Sequence, residues 1–337
     1  MKNIKNKSIL ITGGTGSFGK NFVKMLLDKK YNFEKIIIFS RDELKQHEMK
    51  ESEQFNEKKH GQLRFFIGDV RDKERLTHAF RDVSYIIHAA ALKQVPTGEY
   101  NPFEVIHTNV IGSQNIIDVA LNSQNVQKVV SLSTDKAVSP INLYGASKLC
   151  SDKLFLSSNN IVGKKNISFS VVRYGNVMGS RGSVLPIFLK QKKENLLKIT
   201  HKDMTRFNIL MKDAVKMVEW TLQNGIGGEI IIPKIPSLRV IDLANAIAPK
   251  ISKRIIGIRQ GEKIHEELIS RSESENTYDI KKYYVVLNQK EKIIKHYQKQ
   301  YGAKKVKNNF SYDSQNNGKF LTVKELQNLI KSYNFTL

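Results

Sequence analysis

Short apolar runs alternate with amphipathic stretches through the first half of the chain. Ile9-Leu-Ile-Thr12 leads through a glycine-rich turn into Asn21-Phe-Val-Lys-Met-Leu-Leu27, which predicts a strand followed by a helix. Lys35-Ile-Ile-Ile-Phe39, Arg64-Phe-Phe-Ile67, Ser84-Tyr-Ile-Ile-His88 and Lys128-Val-Val-Ser-Leu132 are further runs of strand length. Helical stretches, Lys73 to Arg81 and Pro102 to Asn122, separate them. This alternation predicts an α/β protein with a parallel sheet and ligands at the strand C-termini.

After Arg173-Tyr-Gly-Asn176 the alternation weakens. Leu185 to Lys193 and Met211 to Asn224 read as helices, and Glu229-Ile-Ile-Ile-Pro233 as a late strand. Residues 270–318 are polar and Lys-rich, with Asn and Gln clusters, and predict surface loops around one helix. Leu321 to Ile330 predicts a closing helix, with Thr322 and Glu325 spaced as a capping box.

Composition narrows the class. A chain of 337 residues can bury a sizeable core as two domains or one large α/β unit. Lys and Arg number 55 against 32 acidic residues, a formal charge of +23. The lysines are scattered, so no nucleic-acid partner is expected; a positive field would also steer small anionic ligands. The single cysteine, Cys150, excludes an intrachain disulfide and fits a reducing, cytoplasmic setting. The apolar run after the basic N-terminus is too short for an export signal, and no run reaches membrane-span length. The histidines show no metal spacing, so no metal is expected.

Three patterns carry candidate chemistry. Gly13, Gly16 and Gly19 stand between the first strand and helix, where glycines permit close approach to a pyrophosphate. At the end of the second strand Arg41 precedes Asp42; Arg suits a 2′-phosphate and an acidic residue a 2′-hydroxyl, so NADP is favoured over NAD. Tyr144 and Lys148 share one helix face, and a nearby ammonium favours the phenolate. Just upstream stand Thr134, Asp135 and Lys136: a hydroxyl, a carboxyl and an amine.

The glycine spacing, Asp69-Val70, His88-Ala-Ala-Ala91, Asn109, Ser133-Thr134 and Tyr144-x-x-x-Lys148 resemble an extended short-chain dehydrogenase/reductase. Longer strings are similar to the inverting UDP-N-acetylglucosamine 4,6-dehydratases of pseudaminic acid biosynthesis. Among them are Ser40-Arg-Asp-Glu-Leu-Lys45, Gly68-Asp-Val-Arg-Asp72, Ser133-Thr-Asp-Lys136, Arg173-Tyr-Gly-Asn-Val177 and Met204-Thr-Arg-Phe207. The likeness runs from about Ser8 to Ile269. It implies a Rossmann-like doubly wound parallel sheet with a smaller, interleaved C-terminal substrate-binding region. Residues 1–175 would form the NADP-binding part, with the strand near 229–233 returning to it. Residues 176–337 would mainly bind substrate, and the assembly would be a homo-oligomer.

The resemblance places Gly13, Thr15, Gly16, Ser17, Phe18 and Gly19 on the cofactor, with Ser40, Arg41, Asp42, Glu43, Leu44 and Lys45. Asp69, Val70, Ala89, Tyr144, Lys148 and Val177 complete that set. It places Lys93, Asn176, Arg181, Thr200, Arg206, Arg259 and Glu262 at a UDP-N-acetylglucosamine substrate. Arg181, Arg206 and Arg259 each suit a diphosphate through the guanidinium fork.

The implied chemistry is loss of water across C5 and C6 of the hexose, made possible by transient oxidation at C4. Tyr144, lowered in pKa by Lys148, would take the C4 hydroxyl proton as hydride passes to NADP, with Thr134 bonded to the same oxygen. Lys136 would take the C5 proton while Asp135 assists departure of the C6 hydroxyl. Lys136 acts as a base only when neutral; burial and nearby cations favour that state and Asp135 opposes it. Lys136 separates the chain from retaining relatives, which carry Glu there. Asn208 and Gln94 depart from the family pattern, where Trp and His are common. A 4-epimerase or reductase on the same fold, or a non-catalytic dinucleotide-binding regulator, are the other readings.

Overall fold

The computed structural model describes residues 6–56, 58–180, 182–287 and 290–333. The N-terminal half builds strand–helix units: β1 (Ser8–Thr12), α1 (Ser17–Asp28), β2 (Lys35–Ser40), α2 (Glu43–Glu51), β3 (Leu63–Ile67), α3 (Lys73–Ala79) and β4 (Tyr85–His88). Then come α4 (Val95–Tyr100), α5 (Pro102–Ile106), α6 (Gly112–Asn122), β5 (Lys128–Thr134), α7 (Leu143–Ser157) and β6 (Ser168–Tyr174). β1 is buried along its whole length, as a strand covered by helices on both faces must be.

The rest of the chain interleaves. β7 (Asn176–Val177), α8 (Val184–Lys192), β8 (Leu196–Ile199), β9 (Thr205–Ile209) and α9 (Met211–Asn224) precede β10 (Glu229–Pro233). β11 (Ser237–Arg239), α10 (Val240–Ile247), β12 (Ser252–Ile255) and β13 (Glu267–Ile269) follow. β14 (Thr277–Asp279), β15 (Tyr283–Leu287), α11 (Glu291–Tyr301), β16 (Lys304–Lys305), β17 (Tyr312–Asp313) and α12 (Val323–Ser332) complete the described chain.

The main sheet runs β16-β14-β15-β10-β6-β5-β4-β1-β2-β3. From β3 to β10 every neighbouring pair is parallel, and β15, β14 and β16 add an antiparallel wing. The order reverses between β1 and β4, where doubly wound sheets open a ligand crevice at their C-terminal edge. A second apolar cluster joins α8, β8, α10 and α12 through Leu185, Phe188, Leu197, Leu243, Leu326 and Ile330. Among the described residues no helix is long and apolar enough to cross a membrane.

Two expectations need correction. Residues 270–318 were expected to be loops around one helix, yet they also contribute β14, β15, β16 and β17. β15 alternates buried and half-buried positions over only five residues, a signal masked by the surrounding lysines. The single helix predicted from Pro102 to Asn122 is interrupted at His107–Ile111 by a π-helical turn. That bulge rotates Asn109 inward, where its amide accepts from Leu92 N–H and donates to Leu92 O (2.8 Å each) and to Ser147 Oγ (3.0 Å). π-Bulges of this kind recur at functional sites. At the C-terminal end, Thr322 and Glu325 form the reciprocal capping box.

Candidate active site

A cleft of about 880 Å³ opens along the C-terminal ends of β1, β2, β4 and β5, facing α8, β8 and the loop before β13. At its floor the Ala89 and Ala90 N–H groups donate to the Thr12 hydroxyl (3.2 Å each), tying β4 to β1 at the crossover. Gly13 has φ +65°, and a β-carbon there would stand 2.9 Å from Ala90 N, so the turn admits only glycine. α1 begins after Gly16 with no side-chain cap and no acidic residue in its first turn. Its free N–H groups, with Ser17, Phe18 and Gly19, border the cleft and suit a pyrophosphate.

Farther along, Thr15 Oγ1 and Ser40 Oγ are 2.9 Å apart. Asp42 caps α2 by accepting from Lys45 N–H (3.0 Å), and it pairs with the Lys45 ammonium as well. Those bonds hold its carboxyl below the usual range. Arg41 lines the cleft with a guanidinium nitrogen 3.7 Å from Asp69. Asp42 is therefore committed locally while Arg41 remains exposed at the rim. Lys45, Asp69, Val70, Ala89 and Val177 also border the cleft. Glu43 and Leu44 do not: both lie on the exposed first turn of α2, Leu44 with 61% of its surface free.

The reactive groups meet where β5 ends. Asp135–Ala137 form one tight helical turn against α7. Asn142 caps α7 by accepting from Gly145 N–H (2.8 Å). A β-carbon on Gly145 would overlap the Lys136 carbonyl oxygen, so glycine there lets the two segments touch. Tyr144 and Lys136 are thereby brought into one cleft, with Thr134 and Lys148. The Thr134 hydroxyl donates to Asp135 Oδ1 at 3.0 Å. Lys136 Nζ lies 3.1 Å from Asp135 Oδ1, 3.0 Å from Glu266 Oε1 and 3.4 Å from Asn176 Oδ1.

Charge states differ from the expectation. Burial pushes Tyr144 up to about 12; Lys136 and a Thr134 hydrogen bond oppose that rise, and Asp135 and Asp152 add to it. Lys136 is thus a cation that favours the phenolate. Burial pushes Lys148 down while Asp152 supports its charge. Burial also works against the Lys136 ammonium, but Asp135 and Glu266 outweigh it and raise the amine above its ordinary value. Asp135, fully buried, is pushed up by desolvation although Lys136 opposes it. The resting centre is a salt bridge.

The substrate-side residues divide. Lys93, Asn176, Thr200, Arg206, Arg259 and Glu262 border the cleft; Arg181 lies outside the described residues. Arg206 is buried, and its guanidinium donates to the carbonyls of Thr205 (2.7 Å), Ile264 (2.9 Å) and Lys263 (2.9 Å). It also pairs with Glu262 at 3.5 Å. Its fork is engaged in tying β9 to the 262–264 loop, which leaves Arg259, exposed at the rim, as the better anion contact. Sequence reading missed Glu266 altogether. It sits in His265-Glu266-Glu267 with no spacing that marks it, and the fold carries it to Lys136. Among the described residues no group of His, Cys, Asp and Glu could hold a metal ion.

The family model described as polysaccharide biosynthesis protein matches residues 9–288. A protein of Campylobacter jejuni subsp. jejuni named UDP-N-acetylglucosamine 4,6-dehydratase (inverting) is 52% identical over 331 residues, covering 96% of this chain and 97% of that one. A Rickettsia felis protein named UDP-glucose 4-epimerase is 40% identical, covering 98% and 97%. The X-ray structure of Pen from Bacillus thuringiensis superposes with a TM-score of 0.87 at 34% identity, over 98% of this chain and 99% of that one. The dTDP-glucose 4,6-dehydratase DesIV of Streptomyces venezuelae, at 23% identity and a TM-score of 0.66, shares the fold over 76% of this chain and 86% of its own.

Proposed function

Because the chain belongs to the polysaccharide biosynthesis protein family, and sets Lys136 and Tyr144 in one cleft beside a dinucleotide-type turn with Asp135 buried behind Lys136, we propose that it is an inverting UDP-N-acetylglucosamine 4,6-dehydratase. It uses NADP and forms UDP-2-acetamido-2,6-dideoxy-β-L-arabino-hex-4-ulose, the first step of a pseudaminic acid-type sugar route. The observation that carries this reading is the Asp135–Lys136 pair, 3.1 Å apart at the end of β5. We assign residues 1–175 with β10 to the cofactor half and residues 176–337 mainly to the sugar nucleotide. Lys93, Asn176, Arg181, Thr200, Arg259 and Glu262 are the proposed sugar-nucleotide contacts. Exposed Arg41, beside a committed Asp42, supports NADP over NAD.

NADP, held by the residues at the Gly13–Gly19 turn and the ends of β2 and β4, would supply a reversible hydride acceptor whose oxidised nicotinamide ring is positively charged. Tyr144, once its phenol has lost its proton to solvent as the Lys136 ammonium favours, takes the C4 hydroxyl proton as a phenolate, and the Thr134 hydroxyl holds the same oxygen. Lys136 cannot act as a base while it is an ammonium. Transfer of one proton from its Nζ to Asp135 converts the ion pair into a neutral amine and a carboxylic acid. The amine then takes the C5 proton, and Asp135 gives its proton to the departing C6 hydroxyl, which leaves as water. Both residues return to their starting charges; return of the hydride to C6 is then balanced by a solvent-derived proton taken up at C5 on the opposite face. Desolvation favours this exchange, because it penalises both ions and spares both neutral groups.

Incubation with UDP-N-acetylglucosamine followed by mass spectrometry tests the reaction: the expected product is lighter by one water. A product of unchanged mass would favour the epimerase reading that the Rickettsia relative's name raises. Inversion is tested in D₂O by NMR of the initial product, with deuterium expected at C5 in the L-arabino configuration. A D-xylo initial product would refute inversion.

A further inference from the structure

Three acceptors converge on Lys136 Nζ, and an ammonium has three N–H donors. Two of the acceptors are buried carboxylates in unlike surroundings. Asp135 has Lys136 as its cation. Glu266, on the loop entering β13, has Lys136 at 3.0 Å and Lys263 at 4.0 Å, with Arg206 of β9 acting on it as well. Its backbone is held too: Glu266 N–H donates to Ser314 Oγ (2.9 Å), and its carbonyl accepts from Ser314 N–H (2.8 Å). Glu266 Oε2 and Asp135 Oδ2 are both buried without a hydrogen bond, so neither carboxylate is saturated.

We propose that Glu266 is a positioning residue, the fixed counter-ion of Lys136, whose charge confines the mobile proton of the centre to the Asp135–Lys136 pair. Three cations surround Glu266, so it stays ionised: burial pushes it up, but Lys136, Arg206 and Lys263 bring it below the usual range. Asp135 is displaced the other way and is the acceptor of the two. When Asp135 becomes neutral, Glu266 still holds the lysine head in place. The groups facing the pair are Tyr144 on α7, Lys93 after β4, Asn176 on β7, Arg206 on β9, and Lys263 and Glu266 before β13. Glu266 is the anion they add to Asp135. The proton bookkeeping rests on the dehydratase reading; the counter-ion role does not.

The test uses Glu266→Gln and Lys263→Met in the full-length protein, with two readouts. Competitive labelling of the Lys136 amine by acetic anhydride across pH, read by peptide mass spectrometry, follows its protonation without turnover. In Glu266→Gln the labelling curve should move to lower pH by about one unit or more, as loss of an adjacent opposite charge requires, and in Lys263→Met to higher pH. The kcat–pH profile for dehydration should move in the same directions, because the active form carries one proton on the pair. Should Glu266→Gln fail to fold, Lys263→Met alone decides, since Lys263 is less buried than Glu266. Labelling curves that superpose on wild type overturn the proposal. Shifted labelling in a protein that makes no dehydrated product would retain the counter-ion and refute the dehydratase reading.

Discussion

Gly145→Ala should damage catalysis more than folding, and the structure sets the size of both effects. The added β-carbon overlaps the Lys136 carbonyl oxygen and stands 3.1 Å from both the Lys136 carbonyl carbon and Pro140 Cβ. Restoring an ordinary C···O contact of about 3.3 Å displaces the Asp135–Ala137 turn from α7 by on the order of 1 Å. A misplacement of that size costs about 100-fold in rate, because Tyr144 and Lys136 sit on opposite sides of the contact. Overpacking costs about 1–3 kcal/mol, against a helix-propensity gain of roughly 1 kcal/mol for replacing glycine. The net expectation is a melting temperature lowered by a few degrees, kcat down about 100-fold, and bound cofactor retained, since the glycine turn at 13–19 is untouched. Gly61→Ala, with nothing within 4 Å of the new carbon, is the control. A Gly145→Ala protein that is more stable than wild type and turns over at its rate would refute the packing argument.

Three further outcomes are expected. Tyr144→Phe should abolish turnover and leave NADP(H) binding nearly intact; near-normal activity would remove the phenol from the mechanism. Arg41→Ala should weaken NADP by at least about tenfold relative to NAD, the loss of one charge-assisted contact, measured by titration with each dinucleotide; an unchanged ratio would refute the 2′-phosphate role. His88 is fully buried and pushed down to about 3, first by desolvation and then by Lys148. Its folded value lies below its unfolded one, so stability is present above about pH 6.5 and is lost as pH falls toward 3. The slope is up to about 1.4 kcal/mol per unit, and His88→Gln should flatten the acid limb of a pH–denaturation series by nearly one proton.

Legibility followed the range of the signal. β1, β2 and β4 declare themselves because a strand buried on both faces is apolar through its middle, and the glycines mark a turn that only they can make. The antiparallel wing was hidden, since β14 and β16 are three and two residues long and lie among lysines. The π-turn at His107–Ile111 was equally invisible: its residues suit an ordinary helix, and only tertiary contact to Leu92 and Ser147 repays the extra residue. At the cofactor end, the residues that the resemblance named border the cleft except Glu43 and Leu44, which a helix turn carries outward.

Residue type at the acid/base centre says less than residue state. Asp135-Lys136 can be read as a carboxyl and an amine from the chain alone, and Tyr144-x-x-x-Lys148 as a phenol with a cation one turn away. Which of them is charged depends on partners far along the sequence. Lys148 acts on Asp152 and His88, and Lys136, just after β5, acts on Tyr144. Lys136 is held as an ammonium by Glu266, separated from it by 130 positions that include β6 to β12. A buried lysine facing two carboxylates stores a proton that must leave before the amine can act. The second carboxylate therefore determines which neighbour receives that proton, and so whether one short segment can supply the base and the acid together.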